Sequence, residues 1–266
     1  MLGAVIGDII GSRFEADNHK SKEFDLFTQD SCPTDDSIMT LAVAKAILAS
    51  REDWGQLSKN AVKYMQEIGR QYPNCGYGGH FFYWIFSDDP QPYGSYGNGS
   101  AMRISPVGFA ADSIEQAKAL SQAVTEVSHD HPEGLKGAEA VAVAIFLART
   151  GSNRHEIRDY IDKNYYPMDF TLDQIREDYS FDVTCQGSVP QAFQAFFESQ
   201  DFEDAIRNAI SIGGDSDTIA AICGGLAQAY YGIPAPIRNQ AMAYLDDHLV
   251  EIVDTFESAY HIHPNK

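Results

Sequence analysis

Three glycines, Gly3, Gly7 and Gly11, recur every four residues through MLGAVIGDIIGSRFE. On a helix that spacing puts them on one face, because residues four apart are neighbours on the helix surface. Glycine costs about 1 kcal/mol per residue in a helix interior relative to alanine. A stripe of three therefore demands close packing in return: another backbone must approach this face. The spacing is not the GxGxxG of a dinucleotide-binding turn, so that class is set aside.

Helical periodicity continues along the chain. From Asp36 onward, Ile38, Leu41, Ala42, Ala46, Leu48 and Ala49 follow it, with Pro33 as a break and Thr34 or Asp35 as the N-cap. Further helices are predicted over 56–70, 113–128, 134–150, 153–163, 189–198, 201–212, 217–231 and 235–259. Few runs read as strands. FFYWIF at 81–86 is the best strand candidate by composition, yet its aromatic density fits a buried helix equally well. Gly and Pro concentrate at 73–79 and 90–108, and the second stretch, with little periodicity, is read as a binding loop. No low-complexity linker divides the chain and no long period repeats, so one compact all-α domain over 1–266 is expected.

Nineteen basic residues stand against 38 acidic ones, a formal net charge of -19. That field repels phosphate backbones and anionic lipid surfaces, which argues against nucleic acid and membrane partners. Cys32, Cys75, Cys185 and Cys223 lie far apart with no CxxC pair, so free, mostly buried thiols in a reducing compartment are expected. The apolar amino terminus lacks a basic leader and is interrupted by Asp8, and no segment reaches the ~18 apolar residues of a membrane span. The expectation is a soluble, cytoplasmic protein, with the oligomeric state open and a monomer favoured.

Two acidic clusters carry the chemical signal. PTDDSIMT at 33–40 places Thr34, Asp35 and Asp36 at a helix start, and GGDSDT at 213–218 places Asp215, Asp217 and Thr218 at another. Each alone is accounted for by capping, since Thr and Asp are favoured in a first turn. If the two helices pack side by side, four carboxylates meet, and protonation or cations must relieve their repulsion. Oxygen donors without His or Cys suit Mg²⁺, Mn²⁺ or Ca²⁺ better than zinc. Capping and metal binding both stand at this point.

The segments GAVIGDIIGSRFE, TDDS, SYGNGSAMRISPVG, SHDHPEGLKGAEAVAVA and GGDSDTIAAICGGLAQAYYG, in this order, resemble the ADP-ribosylglycohydrolase family of the dinitrogenase reductase-activating type. The resemblance implies an orthogonal all-α bundle with a pair of Mg²⁺ or Mn²⁺ ions, cleaving the bond between ADP-ribose and an acceptor. It implies Thr34, Asp35, Asp36, Asp215, Asp217 and Thr218 as metal ligands and Glu15 as a glutamate over the metals, with Glu15 or Asp36 as the base. It matches Ser95, Tyr96, Gly97, Asn98, Gly99 and Ser100 to the diphosphate and ribose loop, and favours His129 over His131 as a ligand donor. The implied partner is an ADP-ribosylated protein, on arginine or serine, or an ADP-ribosyl small molecule. Glycines near phosphate oxygens fit the physics, because backbone N–H groups offset an acidic protein's repulsion of an anion.

Around these residues, Tyr77, Phe81, Phe82, Tyr83 and Trp84 are read mainly as core, with adenine stacking as the other use. Arg103 either braces the loop through an ion pair or touches ligand, and Asp8 is read as a hydrogen-bond acceptor behind the ligands. Ser37 stands where many members of the family have threonine, and the chain is short for the family. Two other functions remain open: a non-catalytic ADP-ribose binder or crystallin-like relative, and a phosphohydrolase acting on the diphosphate.

Overall fold

The glycine stripe is the seam on which the fold closes. In the computed structural model, which describes residues 1–262, helix α1 (Leu2–Gly11) is buried along its whole length. It lies against a helix far away in sequence, Ser216–Tyr231, labelled α13 below. A Cβ on Gly3 would sit 2.2 Å from the Gly224 carbonyl oxygen, and one on Gly7 2.0 Å from that of Ala220. On Gly11 it would sit 2.6 Å from the Cα of Asp217, so each glycine is where a backbone passes. Gly224 returns the contact, meeting Gly3 in the same way.

Fourteen other helices follow α1: α2 (Asp35–Ser50), α3 (Leu57–Gly69), α4 (Gly79–Phe86), α5 (Gly99–Met102), α6 (Ser105–Ala110), α7 (Ile114–Thr125) and α8 (Pro132–Arg149), then α9 (Arg154–Asn164), α10 (Leu172–Ile175), α11 (Cys185–Phe197), α12 (Phe202–Ile210), α13, α14 (Ala235–Met242) and α15 (Asp247–Ala259). No strand occurs among the described residues; one isolated bridge pairs Gly97 with Thr184. Helix α13 packs against α1, α8, α11 and α12, while α2 packs against α3, α1 and α15. One continuous apolar cluster runs through these elements, and the molecule is a single helical domain of the orthogonal-bundle kind.

Two expectations change, and one choice left open by the sequence is decided. FFYWIF is helical: Phe81, Trp84 and Ile85 face inward at i, i+3 and i+4, while Phe82, Tyr83 and Phe86 are exposed. The stretch at 90–108 is not one loop, because α5 and α6 occupy its second half; each is too short for a period to show. The predicted helix over 235–259 is two, and Asp246 caps the second by accepting from the Leu249 N–H at 3.0 Å. The four cysteines are free as expected, but only Cys185 and Cys223 are buried.

Candidate metal centre and ligand cleft

Helix α2 begins with its threonine cap in place. Thr34 Oγ1 accepts from the Asp36 N–H at 3.3 Å and donates to Asp8 Oδ1 at 2.7 Å. Asp8, the one charge on buried α1, also accepts from the Thr34 and Ser37 N–H groups at 2.9 and 3.0 Å, and from the Ser37 hydroxyl. So α1 grips the first turn of α2 from behind, the acceptor role read for Asp8.

Helix α13 is entered differently. Gly213 and Gly214 both take left-handed backbone, φ 70° and 76°, which bends the chain sharply into Asp215. Asp215 makes no side-chain cap bond. Its Oδ2 accepts instead from Asn98 Nδ2 at 2.7 Å, and Asn98 also donates to Ser188 at 2.9 Å. Asp217 Oδ1 accepts from the Thr218 N–H at 2.9 Å.

The glycine seam brings the two starts together. Thr218 Oγ1 donates to Asp36 Oδ2 at 3.3 Å, a direct link between α13 and α2. Carboxylate oxygens of Asp8, Asp36 and Asp217 lie within 4.8 Å of one another, as do those of Glu15, Asp215 and Asp217. Among the described residues, Asp36 Oδ1 is buried without a hydrogen-bond partner. A buried anionic oxygen left bare costs several kcal/mol unless a cation or proton meets it, and an all-oxygen donor set suits a hard divalent ion.

The electrostatics record the same crowding. Burial raises Asp8 to about 6, against the bonds from Ser37 and Thr34 that pull it down, and raises Asp35 to about 7, with Asp8 adding to it. Burial and then Asp217 push Asp36 well above the usual carboxylate range; burial and then Asp215 do so for Asp217. Glu15, exposed at the rim, is raised by desolvation and by Asp215 and Asp8.

These carboxylates form one wall of a cleft of about 400 Å³. Glu15, Asp35, Asp36, Asp215, Asp217 and Thr218 line it, and Ser95, Gly97, Asn98, Gly99 and His129 line it too. The glycine loop is pinned by backbone bonds: the Asn98 N–H to the Val183 carbonyl at 2.8 Å, and the Cys185 N–H to that of Tyr96 at 3.0 Å. Three candidates fall outside the lining. Thr34 turns its hydroxyl to Asp8, Ser100 donates to the Gly134 carbonyl at 2.8 Å behind the loop, and Tyr96 is exposed and packs on His131.

His129 is buried, and burial followed by the Arg103 charge pushes its pKa well below the ordinary histidine range. His131 caps α8, accepting from the Glu133 N–H at 3.1 Å. Arg103 makes no ion pair among the described residues; its guanidinium lies 4.9 Å from the Phe81 ring centroid and donates to Ser128 Oγ at 2.8 Å. The lining positions not singled out from sequence include two glycines, Gly76 and Gly78, the first of them against Asp35, and the exposed Phe181 and Val183. The glycine-rich 73–79 stretch signalled the first pair, whereas nothing in YSFDVT distinguishes the second from a solvated loop.

Fold and cleft together define an all-helical protein whose two distant acidic helix starts meet opposite a glycine loop. The family model for ADP-ribosylglycohydrolase matches residues 1–263, and the chain belongs to that family. It is 24% identical to ADP-ribosylhydrolase ARH3 of Homo sapiens over 310 residues, covering 88% of this chain and 84% of that one. It is 25% identical to the ADP-ribosylarginine hydrolase Tri1 of Pseudomonas putida over 268 residues, covering 88% and 70%. A solved structure of an ADP-ribosylglycohydrolase-related protein complex superposes with a TM-score of 0.71 at 22% identity, covering 98% of this chain and 95% of that chain, and shares the fold.

Proposed function

We propose that this protein is a divalent-cation-dependent hydrolase that releases ADP-ribose from an ADP-ribosylated acceptor, either a protein side chain or a small molecule. The observation that carries the reading is the meeting of Asp36 and Asp217, 181 positions apart in sequence, with one Asp36 oxygen buried and unpartnered among the described residues. Family membership supports the bond type, and the names of the ARH3 and Tri1 relatives support ADP-ribose as the group released.

Asp35, Asp36, Asp215, Asp217 and the hydroxyl of Thr218 are assigned to hold two Mg²⁺ or Mn²⁺ ions, whereas Thr34, its hydroxyl given to Asp8, positions the α2 start. Such ions supply charge that lets the carboxylates ionise together, a fixed point for ribose hydroxyls, and a more acidic water. The chain's own groups do the rest. Gly97 and Gly99 present backbone close to the diphosphate, and Asn98 fixes Asp215 relative to that loop. As the glycosidic C–N or C–O bond breaks, positive charge develops on the ribose ring and the surrounding carboxylates stabilise it. Glu15, exposed and raised in pKa, takes a proton from the attacking water and returns it to the departing acceptor; Asp36 is the other candidate base.

The test is product analysis on defined ADP-ribosylated arginine, serine and O-acetyl-ADP-ribose, with and without chelator. Free ADP-ribose that disappears with chelator and in Asp217→Ala supports the reading. AMP plus a phosphoribosyl acceptor indicates cleavage of the diphosphate, and cleavage unaffected by both treatments overturns the metal-dependent mechanism.

A further inference from the structure

We propose that Arg103 is a positioning residue that, with Ser128, holds His129 in one tautomer: Nδ1 bare, Nε2–H turned toward the glycine loop. Arg103 is fully buried, and its described hydrogen bonds go to Ser128 Oγ at 2.8 Å and His129 Nδ1 at 3.4 Å, neither of them an acid. A guanidinium only donates, so the His129 nitrogen facing it must accept. Ser128 Oγ, which accepts from Arg103, lies 2.9 Å from the same Nδ1 and has its own hydroxyl proton free to donate there. Both donors converge on Nδ1, and the imidazole proton is left on Nε2.

That nitrogen faces the ligand side. Nε2 lies 3.4 Å from where a Cβ on Gly99 would stand and 3.8 Å from that of Gly97, at the inner face of the loop that lines the cleft. Space-filling alone does not account for Arg103. A buried guanidinium is expensive to desolvate, the Phe81 face offsets only part of that, and a methionine would occupy the space without the cost. Among the described residues its Nε and Nη1 are buried without partners beside the cleft, which a purely structural arginine would have satisfied. The consequence is a histidine that always offers a donor to a ligand oxygen and never spends binding energy choosing its tautomer.

The kinetic part of this inference rests on the ADP-ribosyl reading; the tautomer part does not. Imidazole ¹⁵N shifts of ¹⁵N-histidine-labelled protein, with His129 assigned by its loss in His129→Gln, are expected to show Nε2 protonated in the wild type across about pH 6 to 8. In Arg103→Met an Nδ1-protonated population appears and kcat/KM falls on the order of tenfold or more; Arg103→Lys, which keeps a donor, restores part of both. Ser128→Ala, which removes only a hydroxyl, shifts the tautomer in the same direction and decides the matter if Arg103→Met does not fold. A wild-type proton on Nδ1, or an unchanged tautomer in every folded variant, overturns the inference. Absence of ADP-ribosyl hydrolysis by the wild type would sink the catalytic reading and leave the shifts to judge Arg103.

Discussion

The two acidic helix starts read almost alike in sequence, TDDS and DSDT, yet they are aimed by different means. The α2 start is held from its own end: Thr34 caps the helix, and Asp8 on α1 takes hydrogen bonds from Thr34 and Ser37. The α13 start has no side-chain cap at Asp215 and depends on two left-handed glycines, on Asn98 from the glycine loop, and on the α1 seam beside it. At the first start, helix stability and ligand placement use the same bonds. At the second they are separable, so the glycine loop can be coupled to the proposed metal site without unfolding the helix.

The largest expected effect removes what the two starts share. Asp36→Asn and Asp217→Asn should each lower kcat on the order of a thousandfold, although they lie on different helices; a loss confined to one of them would break the pairing. Next comes the seam. Gly7→Val drives a side chain into the Ala220 carbonyl and should cost about 3 kcal/mol or more in chemical denaturation, with cation affinity lost in whatever still folds. Thr34→Ala should lower stability by roughly 1–2 kcal/mol. Asn98→Ala should lower stability by about 1–3 kcal/mol, short of unfolding, while weakening Mn²⁺ binding about tenfold. If Asn98→Ala instead unfolds the protein, the separation between the two starts is wrong.

The smallest effect is in pH. Asp8 and Asp35 are raised to about 6 and about 7, and burial pushes Asp36 and Asp217 well above the usual carboxylate range, with Asp217 adding for the first and Asp215 for the second. The folded, cation-free protein therefore keeps protons that the unfolded chain releases, and unfolding sheds them. Stability is greatest below the ordinary carboxylate range of these groups and falls as pH climbs through 6 and 7, on the order of 1 kcal/mol per pH unit. Denaturation of chelated protein between about pH 5 and 8 measures that slope, and saturating Mg²⁺ should flatten it.

Much of this was legible in the sequence because it is written locally. Gly3, Gly7 and Gly11 announce a backbone contact, and a threonine with two aspartates after Pro33 announces a helix start. What faces the stripe is not local, and only the fold shows that it is the helix carrying Asp217. The short α5 and α6 were hidden because fewer than two turns leave no period. Asn98 was legible as a loop residue, but its grip on Asp215 spans 117 positions. Arg103 was read as bracing by an ion pair or touching ligand; its partners, Ser128 and His129, lie beyond two helices, α6 and α7, farther than spacing alone conveys.

The central claim is that the two starts make one cation site. Mn²⁺ titration of chelator-stripped protein, followed by electron paramagnetic resonance of the free ion, tests it most directly in the wild type, Asp36→Asn and Asp217→Asn. Tight binding by the wild type, lost together in both variants while each remains folded, is the predicted result. No Mn²⁺ bound by the wild type, or full binding retained by either variant, would contradict it.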